Sequence, residues 1–187
     1  MNVLNGLDLF PIRFFEINLD QVDAYNVLNE ILRKEDEIKL ISSTRQLQSA
    51  DEYITDYPYN SHSAIVELES MGLVFDKVKT VFEENNSIID IDQYWTAIYT
   101  KTAHHSTHDH SSNILDKINY SGILYLTDIG HTTFYSTNPS SFYNDFKINS
   151  QLGKIIIFPS TIPHSVEPTM DESKRVVVAF NCEIRNK

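Results

Sequence analysis

The stretch "GKIIIFPSTIPHSVEP", residues 153–168, decides the fold prediction for this chain. Its first part, "KIIIF", is a short apolar run between a glycine and a proline, which is typical of a β-strand buried on both faces. A turn bounded by Pro159 and Pro163 follows, and His164 begins another short segment with strand character. The stretch therefore predicts two consecutive strands of a buried β-layer, with a histidine at the start of the second.

Similar segments surround this stretch and fill the second half of the chain. They are short, rich in β-branched and aromatic residues, and separated by turn residues such as those at 128–130 and 149–153. The segments are "QYWTAIYTKT", "YSGILYLTD", "HTTFYST", "DFKINS" and "KRVVVAFNCEI". Many short strands at this spacing predict a β-sandwich or jelly roll, and their apolar residues on both faces predict helices packed on one sheet.

The first half of the chain has a mixed pattern that can supply those helices. Residues 12–19 alternate enough to predict one strand. Residues 19–34 predict a helix that begins after an N-cap at Asp20. Its expected apolar stripe consists of Val22, Tyr25, Leu28 and Leu32.

A second helix is predicted over residues 61–85, with Ser61 or Ser63 as its N-cap. Its apolar stripe, which we expect to pack in the core, consists of Ile65, Leu68, Met71, Phe75, Val78 and Phe82. The intervening residues 35–60 are too polar to assign.

Length and composition fit one mainly β domain with N-terminal helices. The chain has 187 residues, of which 41% are hydrophobic, and this is enough to bury a substantial core. We expect a single domain over residues 1–187, in which about residues 1–88 support a β-sheet core of about residues 89–187.

Charge and the absence of long apolar runs argue against some classes of partner. The formal net charge is -11, from 26 acidic and 15 basic residues, which argues against a nucleic-acid surface. The apolar runs are too short to span a bilayer, and residues 1–20 lack the basic region of a signal peptide. Cys182 is the only cysteine, so no internal disulfide can form. We therefore expect a cytoplasmic protein that binds neither nucleic acid nor membranes; nothing in the sequence excludes a homo-oligomer.

Histidines are crowded into "YTKTAHHSTHDHSS", residues 99–112. A metal site, a pH sensor and chance on a polar loop are three interpretations of this stretch. We expect the distant His62 and His131 to be ordinary surface residues. The stretch holds four of the chain's seven histidines, namely His104, His105, His108 and His110.

Two of these histidines have the spacing of a metal site. Side chains two residues apart in a strand point the same way, so His108 and His110 would share one face, with Asp109 facing away. Two imidazoles rarely hold a metal alone, and His164 is the obvious third ligand. Imidazole suits iron, zinc, copper and nickel alike, so the ligand type does not name the metal.

Arg175 is a candidate anion-binding residue. It follows His164 by eleven residues and lies on the strand face opposite to Val176 and Val178. A guanidinium on the inner face of a buried strand needs an anion, and a carboxylate-bearing ligand would satisfy it by a bidentate bond. The alternative is that Arg175 pairs with Glu172 or Asp171 in the preceding turn.

The order "HDH", His164, Arg175 resembles the iron(II)- and 2-oxoglutarate-dependent oxygenases, whose core is a double-stranded β-helix, a form of jelly roll. The chain is also similar to the small phage and marine-bacterial oxygenases related to prolyl 4-hydroxylases, through the segments "YSGILYLTD…TTFY…GKIIIFPSTIPHSVEP…KRVVVAFN". The resemblance covers most of the chain and is strongest over residues 94–181. It implies Fe(II) and 2-oxoglutarate as cofactors, with ascorbate as an accessory reductant. It also implies hydroxylation of a peptide or protein side chain, or of a small metabolite.

The resemblance implies roles for named residues. His108 and His164 would bind the metal, and Arg175 would clamp the far carboxylate of 2-oxoglutarate. Tyr125 matches a tyrosine that hydrogen-bonds the same carboxylate, and Tyr99 one that lies near the cosubstrate. No catalytic residue beyond the metal centre is implied.

Position 110 departs from the family pattern, in which an acid stands two residues after the first histidine. Strand alternation favours His110 as the third ligand, and a shift of the backbone would make it Asp109 instead. A three-histidine site keeps two rival functions open. These are a cupin-like dioxygenase that does not use 2-oxoglutarate and a non-catalytic metal-binding protein.

Overall fold

The computed structural model of the chain describes residues 12–44, 53–57, 65–110, 119–137, 145–170 and 172–187. In these residues the helices are α1 (Gln21–Arg33), α2 (Glu35–Thr44) and α3 (Glu69–Glu84). The strands are β1 (Phe15–Asn18), β2 (Tyr53–Thr55), β3 (Ser87–Tyr99), β4 (His105–His108), β5 (Tyr120–Tyr125), β6 (His131–Tyr135), β7 (Asp145–Asn149), β8 (Lys154–Pro159), β9 (His164–Val166) and β10 (Arg175–Asn186).

The strands form two antiparallel sheets. The larger sheet has the order β1-β8-β5-β10-β3-β2, and the smaller has the order β4-β9-β6-β7. The N-terminal strands β1 and β2 are the two edges of the larger sheet. The prediction of a mainly β fold with helices on one sheet is confirmed, and the central strands β5, β8 and β10 are buried on both faces as expected.

Alternation along β10 separates the two sides of the larger sheet. Val176, Val178 and Phe180 pack with α1 and α3 in one hydrophobic core. Val177 lies on the other face, in a second core shared with the smaller sheet. Arg175 has the same parity as Val177, so it too faces the space between the sheets.

The first helix has the predicted cap and a different buried face. The Asp20 side chain accepts a hydrogen bond from the Asp23 backbone N–H at 2.9 Å, which confirms the N-cap. The predicted stripe is wrong in part, because Val22, Tyr25 and Leu32 are exposed. The buried face instead carries Ala24, Val27, Glu30 and Ile31.

The predicted start of α3 is wrong. The helix begins at Glu69, after an N-cap at Leu68 that makes no side-chain cap bond. The Glu30 carboxylate of α1 provides the cap, since it accepts hydrogen bonds from the backbone N–H groups of Glu69 and Ser70 at 2.9 and 3.0 Å. The predicted caps Ser61 and Ser63 lie outside the described residues. Within the stripe, Leu68, Met71, Val78 and Phe82 are buried as predicted.

The polar region that could not be assigned contains regular structure. It forms α2 and the short strand β2, which pairs with β3. Strands β1, β4 and β7 depart from two-sided burial, and most residues of β7 are exposed. Among the helices of the described ranges, none is long and apolar enough to cross a lipid bilayer.

Candidate metal and cosubstrate site

Pairing of β4 with β9 brings two distant histidines together. His108, at the end of β4, lies opposite His164, at the start of β9, in the antiparallel register. Their ring centroids are 4.3 Å apart. Long-range strand pairing thus places side chains that are 56 positions apart in the sequence side by side.

His110 joins this pair from beyond the end of β4. Its backbone N–H donates to the Ser160 carbonyl at 2.8 Å, and its ring stacks on Trp95 at a centroid distance of 5.9 Å. One ring nitrogen from each of His108, His110 and His164 lies within 4.8 Å of the others. The intervening Asp109 is exposed. The three imidazoles therefore converge, although the strand that was expected to carry His110 ends two residues earlier.

Hydrogen bonds fix the orientation of two of these rings. Nδ1 of His108 lies 2.8 Å from the Ser106 carbonyl oxygen, and Nδ1 of His164 lies 3.0 Å from that of Ile162. A carbonyl oxygen only accepts, so each Nδ1 carries the hydrogen and donates it. In the neutral ring the lone pair is then on Nε2, which is the arrangement that supporting bonds give to metal-binding histidines.

Burial keeps two of the rings neutral. His164 is 5% exposed, and its burial, together with the neighbouring His108, holds its pKa well below the ordinary value. Burial and His108 also lower the pKa of His110 to about 4, against the opposing effect of Asp109. A neutral imidazole is the form that binds a metal, so these rings are ready to act as ligands at neutral pH.

The histidines line a cavity of about 220 Å³ between the two sheets. Aromatic and small apolar side chains form most of its wall. Its lining residues are Tyr53, Tyr57, Trp95, Ala97, Tyr99, His105, His108, Asp109, His110, Ile123, Thr132, His164, Val166, Arg175, Val177 and Ala179.

Arg175 is buried at this cavity with part of its hydrogen-bonding capacity unused. The residue is 2% exposed, and its Nη2 donates to Oγ1 of Thr132 at 2.9 Å. Its Nε and Nη1 have no hydrogen-bond partner among the described residues. The alternative partner Glu172 pairs with Lys101 at 2.5 Å, and Asp171 lies outside the described residues. A buried cation with unpaired donors is costly, and a carboxylate can accept from one of them together with the second hydrogen of Nη2.

The two tyrosines implied by the family resemblance flank this guanidinium. The rings of Tyr99 and Tyr125 have their centroids 5.3 and 5.8 Å from the central carbon of Arg175. The Tyr125 hydroxyl donates to Oγ1 of Thr132 at 2.8 Å, and burial raises the pKa of Tyr125, so this phenol stays protonated. Because Thr132 accepts from both Arg175 and Tyr125, its own hydroxyl hydrogen remains available to donate.

The site also contains residues that the sequence did not reveal. Thr132 comes from the smaller sheet, and no local pattern links it to Arg175. His105, identified in the sequence only as part of the histidine stretch, stacks on His108 at a centroid distance of 3.8 Å, and its ring is tilted against Tyr53 at 4.7 Å. His131, expected at the surface, is half-buried with Nε2 3.2 Å from the Glu167 carboxylate, and His62 lies outside the described residues.

A family model described as "Putative 2OG-Fe(II) oxygenase" matches residues 93–181, which include the three imidazoles and Arg175. The resemblance to the iron(II)- and 2-oxoglutarate-dependent oxygenases is confirmed. The family indicates a 2-oxoglutarate-dependent oxygenase with Fe(II) and 2-oxoglutarate as cofactors. The donors fit this pair, since imidazole suits iron and the empty donors of Arg175 suit a carboxylate.

Solved structures support the double-stranded β-helix fold. A prolyl hydroxylase from Trichoplax adhaerens, in complex with a hypoxia inducible factor oxygen degradation domain peptide fragment, aligns with a TM-score of 0.68 at 15% identity over 91% of this chain and 83% of that one. A prolyl-4-hydroxylase from Pseudomonas putida aligns with 0.64 at 13% identity over 91% and 92%. The viral collagen prolyl hydroxylase of Paramecium Bursaria Chlorella virus-1, as its 2-oxoglutarate complex, aligns with 0.58 at 12% identity over 93% and 96%. A comparison with curated proteins found no sequence match.

Proposed function

We propose that this member of the oxygenase fold is a hydroxylase that uses Fe(II), 2-oxoglutarate and O₂ to oxidise a C–H bond of a peptide side chain or small metabolite. One observation carries the proposal. A single cavity joins three convergent imidazoles to a buried arginine whose Nε and Nη1 have no partner in the described part of the chain. The first group suits a divalent metal, and the second suits the far carboxylate of a dicarboxylic acid.

Each side chain has a distinct task in this proposal. His108, His110 and His164 would hold the metal through ring nitrogens, and Asp109 is left outside the ligand set because its carboxylate is not part of this convergent group. When bound, iron and 2-oxoglutarate supply the oxygen chemistry: one atom of O₂ enters the product and the other enters succinate, with loss of CO₂.

The cosubstrate end of the cavity is organised by hydrogen bonds already in place. Arg175 would bind the far carboxylate along one edge of its guanidinium, through Nε or Nη1 and the second hydrogen of Nη2, while the first Nη2 hydrogen is held by Thr132. Tyr125 fixes Thr132, and the Thr132 hydroxyl can donate to the same carboxylate. The apolar walls from Ile123 and Val177 exclude water and so strengthen these bonds.

The buried arginine favours this proposal over a three-histidine dioxygenase that does not use 2-oxoglutarate. In such an enzyme Arg175 would have no cosubstrate carboxylate to bind. The hydroxylase role is also consistent with the prolyl hydroxylases that share the fold. We further propose a cytoplasmic location, since a reducing compartment keeps iron in the Fe(II) state.

Succinate formation tests the proposal. Purified protein incubated with Fe(II), 2-oxoglutarate and ascorbate in air should release succinate even without a substrate, and isotope-labelled O₂ should label one carboxylate oxygen of that succinate. His164→Ala should abolish the release. Metal retention without any succinate, in the wild type at saturating 2-oxoglutarate, would instead favour a non-catalytic metal-binding protein.

A further inference from the structure

The cavity has two chemically different ends. In the antiparallel register of β10 and β3, Arg175 lies opposite Tyr99, and Ala179 lies opposite Trp95. Four residues along a strand span about 13 Å, so the Arg175 end and the Trp95 end are well separated. All four of these residues line the cavity.

Aromatic rings and a carboxylate characterise the Trp95 end. The rings of Tyr57 and Trp95 lie 4.7 Å apart at 76°, so they form a corner with two perpendicular walls. His110 stacks against the same indole, and its neighbour Asp109 contributes to the cavity wall. Among the described lining residues Arg175 is the only lysine or arginine, and it is at the opposite end.

We propose that the Trp95 end binds a positively charged group of the substrate, such as an alkylammonium or a guanidinium. The inference rests on the proposed function and adds a substrate class to it. A cation is attracted to the faces of tryptophan and tyrosine, and a nearby carboxylate adds to that attraction. The net charge of -11 would also draw cationic molecules towards the protein.

The reaction follows from this placement. The charged group would lie against Tyr57, Trp95 and Asp109, and a C–H bond beside it would face the imidazoles. That C–H bond becomes C–OH with one atom of O₂, while 2-oxoglutarate takes the other atom and is converted to succinate and CO₂. The charge of the substrate is unchanged, so the aromatic corner binds substrate and product alike.

Trp95 is the single tryptophan of the chain, so its fluorescence reports on this end of the cavity. We would load the protein with Zn(II) and 2-oxoglutarate, which prevents turnover. We would then titrate it with Nα-acetyl-lysine amide, whose side-chain ammonium is free, and with Nα-acetyl-norleucine amide. Norleucine keeps the alkyl chain and lacks the charge. The lysine compound should bind at least about tenfold more tightly. Equal affinities for the two compounds would overturn the inference.

Substitutions test which side chains cause the preference for the lysine compound over the norleucine compound. Asp109→Asn and Tyr57→Leu should each weaken lysine binding about tenfold and leave norleucine binding unchanged. Asp92→Asn is the matched control, because this carboxylate is exposed on β3 and does not line the cavity. If Asp92→Asn reduces the lysine preference as much as Asp109→Asn, the preference comes from the general surface charge and the inference is wrong.

Turnover assays show whether the cation belongs to a peptide or to a free small molecule. They also test the cation site separately from the proposed hydroxylase function. Matched peptides with lysine, norleucine or proline at one position, and free lysine amide, would be incubated with Fe(II)-loaded protein and examined for the gain of one oxygen atom. Lysine in the peptide or in the free compound should be oxidised, and whichever is preferred identifies the source. Equal oxidation of the norleucine or proline peptide would contradict the cation site. Succinate release without substrate depends on the proposed function alone. If the uncharged peptides are oxidised equally well and this release persists, the cation site is wrong and the proposed function stands.

Discussion

Two arginines on β10 show how the surroundings of a side chain decide its role. Arg175 is buried, and two of its donor nitrogens are unpaired among the residues that the structure describes, whereas Arg185 pairs with Asp90 at the surface. We expect Arg175→Ala to weaken 2-oxoglutarate binding by about 10- to 100-fold, because hydrogen bonds to a charged group contribute about 1.5–3 kcal/mol. Isothermal titration of Zn(II)-loaded protein with 2-oxoglutarate measures this effect.

Arg185→Ala is the control for that measurement, since it removes the same charge from the same strand outside the cavity. Its affinity for 2-oxoglutarate should match that of the wild type. Normal binding by Arg175→Ala would show that the cosubstrate carboxylate is held elsewhere.

Two histidines that each begin a strand provide a second matched pair. His164 begins β9 within the three-imidazole group, and His131 begins β6 outside it. His164→Ala should lower Fe(II) affinity by at least about 100-fold, and His131→Ala should retain the metal. Metal analysis after desalting distinguishes the variants; loss of metal from both would mean that folding, rather than ligation, is being measured.

Local sequence was enough to single out some of these side chains and not others. His108, His164 and Arg175 stand at strand ends in a recognisable order, so pattern and resemblance were sufficient to propose them. Strand alternation also favours His110 as a ligand, although its position beyond the end of β4 depends on a hydrogen bond to Ser160, which is 50 positions away. Thr132 reaches Arg175 only because the two sheets face each other, and such contacts have no signal in the neighbouring sequence.

Packing between β5 and β10 requires a glycine at position 122. A Cβ on Gly122 would lie 2.1 Å from Cζ of Phe180, a distance that no packing arrangement tolerates. Gly122→Ala should therefore lower the free energy of unfolding by about 1–3 kcal/mol. Gly72→Ala in α3 is the control, because a Cβ there meets no atom within 4 Å and should stabilise the helix by roughly 1 kcal/mol.

Urea denaturation measures both glycine variants, with the slope checked for constancy. If Gly122→Ala is as stable as the wild type, the close approach of Phe180 to the backbone of β5 is incorrect.

The contact between α1 and α3 makes stability depend on pH. Burial of Glu30 raises its carboxyl pKa, but bonds from Ser70, from the Glu69 backbone and from Lys34 outweigh this and lower the pKa from 4.5 to about 2. A lowered folded-state pKa means that the unfolded chain binds the proton more readily. The ionised Glu30 carboxylate therefore contributes about 3 kcal/mol to the free energy of unfolding above about pH 4.5, and this contribution is lost as the pH falls towards 2.

Glu30→Gln tests this contribution with little change of shape. The variant should be less stable than the wild type at pH 7, and the difference should shrink below pH 4.5. Glu37→Gln, which changes an exposed carboxylate of α2, is the control for the loss of one negative charge. A difference that does not vary with pH would mean that the charge of Glu30 is not what caps α3.

Helix prediction was accurate where the determinants are local and failed where they are not. Asp20 caps α1 through a bond within its own turn, and the sequence was sufficient to find it. The start of α3 was misplaced because its cap comes from Glu30, on another helix. The buried face of α1 was misjudged for the same reason, since apolar residues lie on two sides of it and the side with Glu30 faces α3.

The two sides of the larger sheet have different roles in the molecule as a whole. One side packs against helices and forms the larger hydrophobic core, and the other encloses the proposed site with the smaller sheet. This division was predictable because β5, β8 and β10 are apolar on both faces, which requires a cover on each side. The registers between strands were not predictable, and they determine which side chains meet.

An anaerobic crystal structure with Fe(II) and 2-oxoglutarate tests the central claim most directly. The anomalous signal of iron should lie at about 2.1 Å from one ring nitrogen of each of His108, His110 and His164, by comparison with other metal–imidazole bonds. One carboxylate of 2-oxoglutarate should contact the Arg175 guanidinium along one edge, through Nη2 and either Nε or Nη1. Iron bound through Asp109 in place of His110, or 2-oxoglutarate bound away from Arg175, would contradict the account.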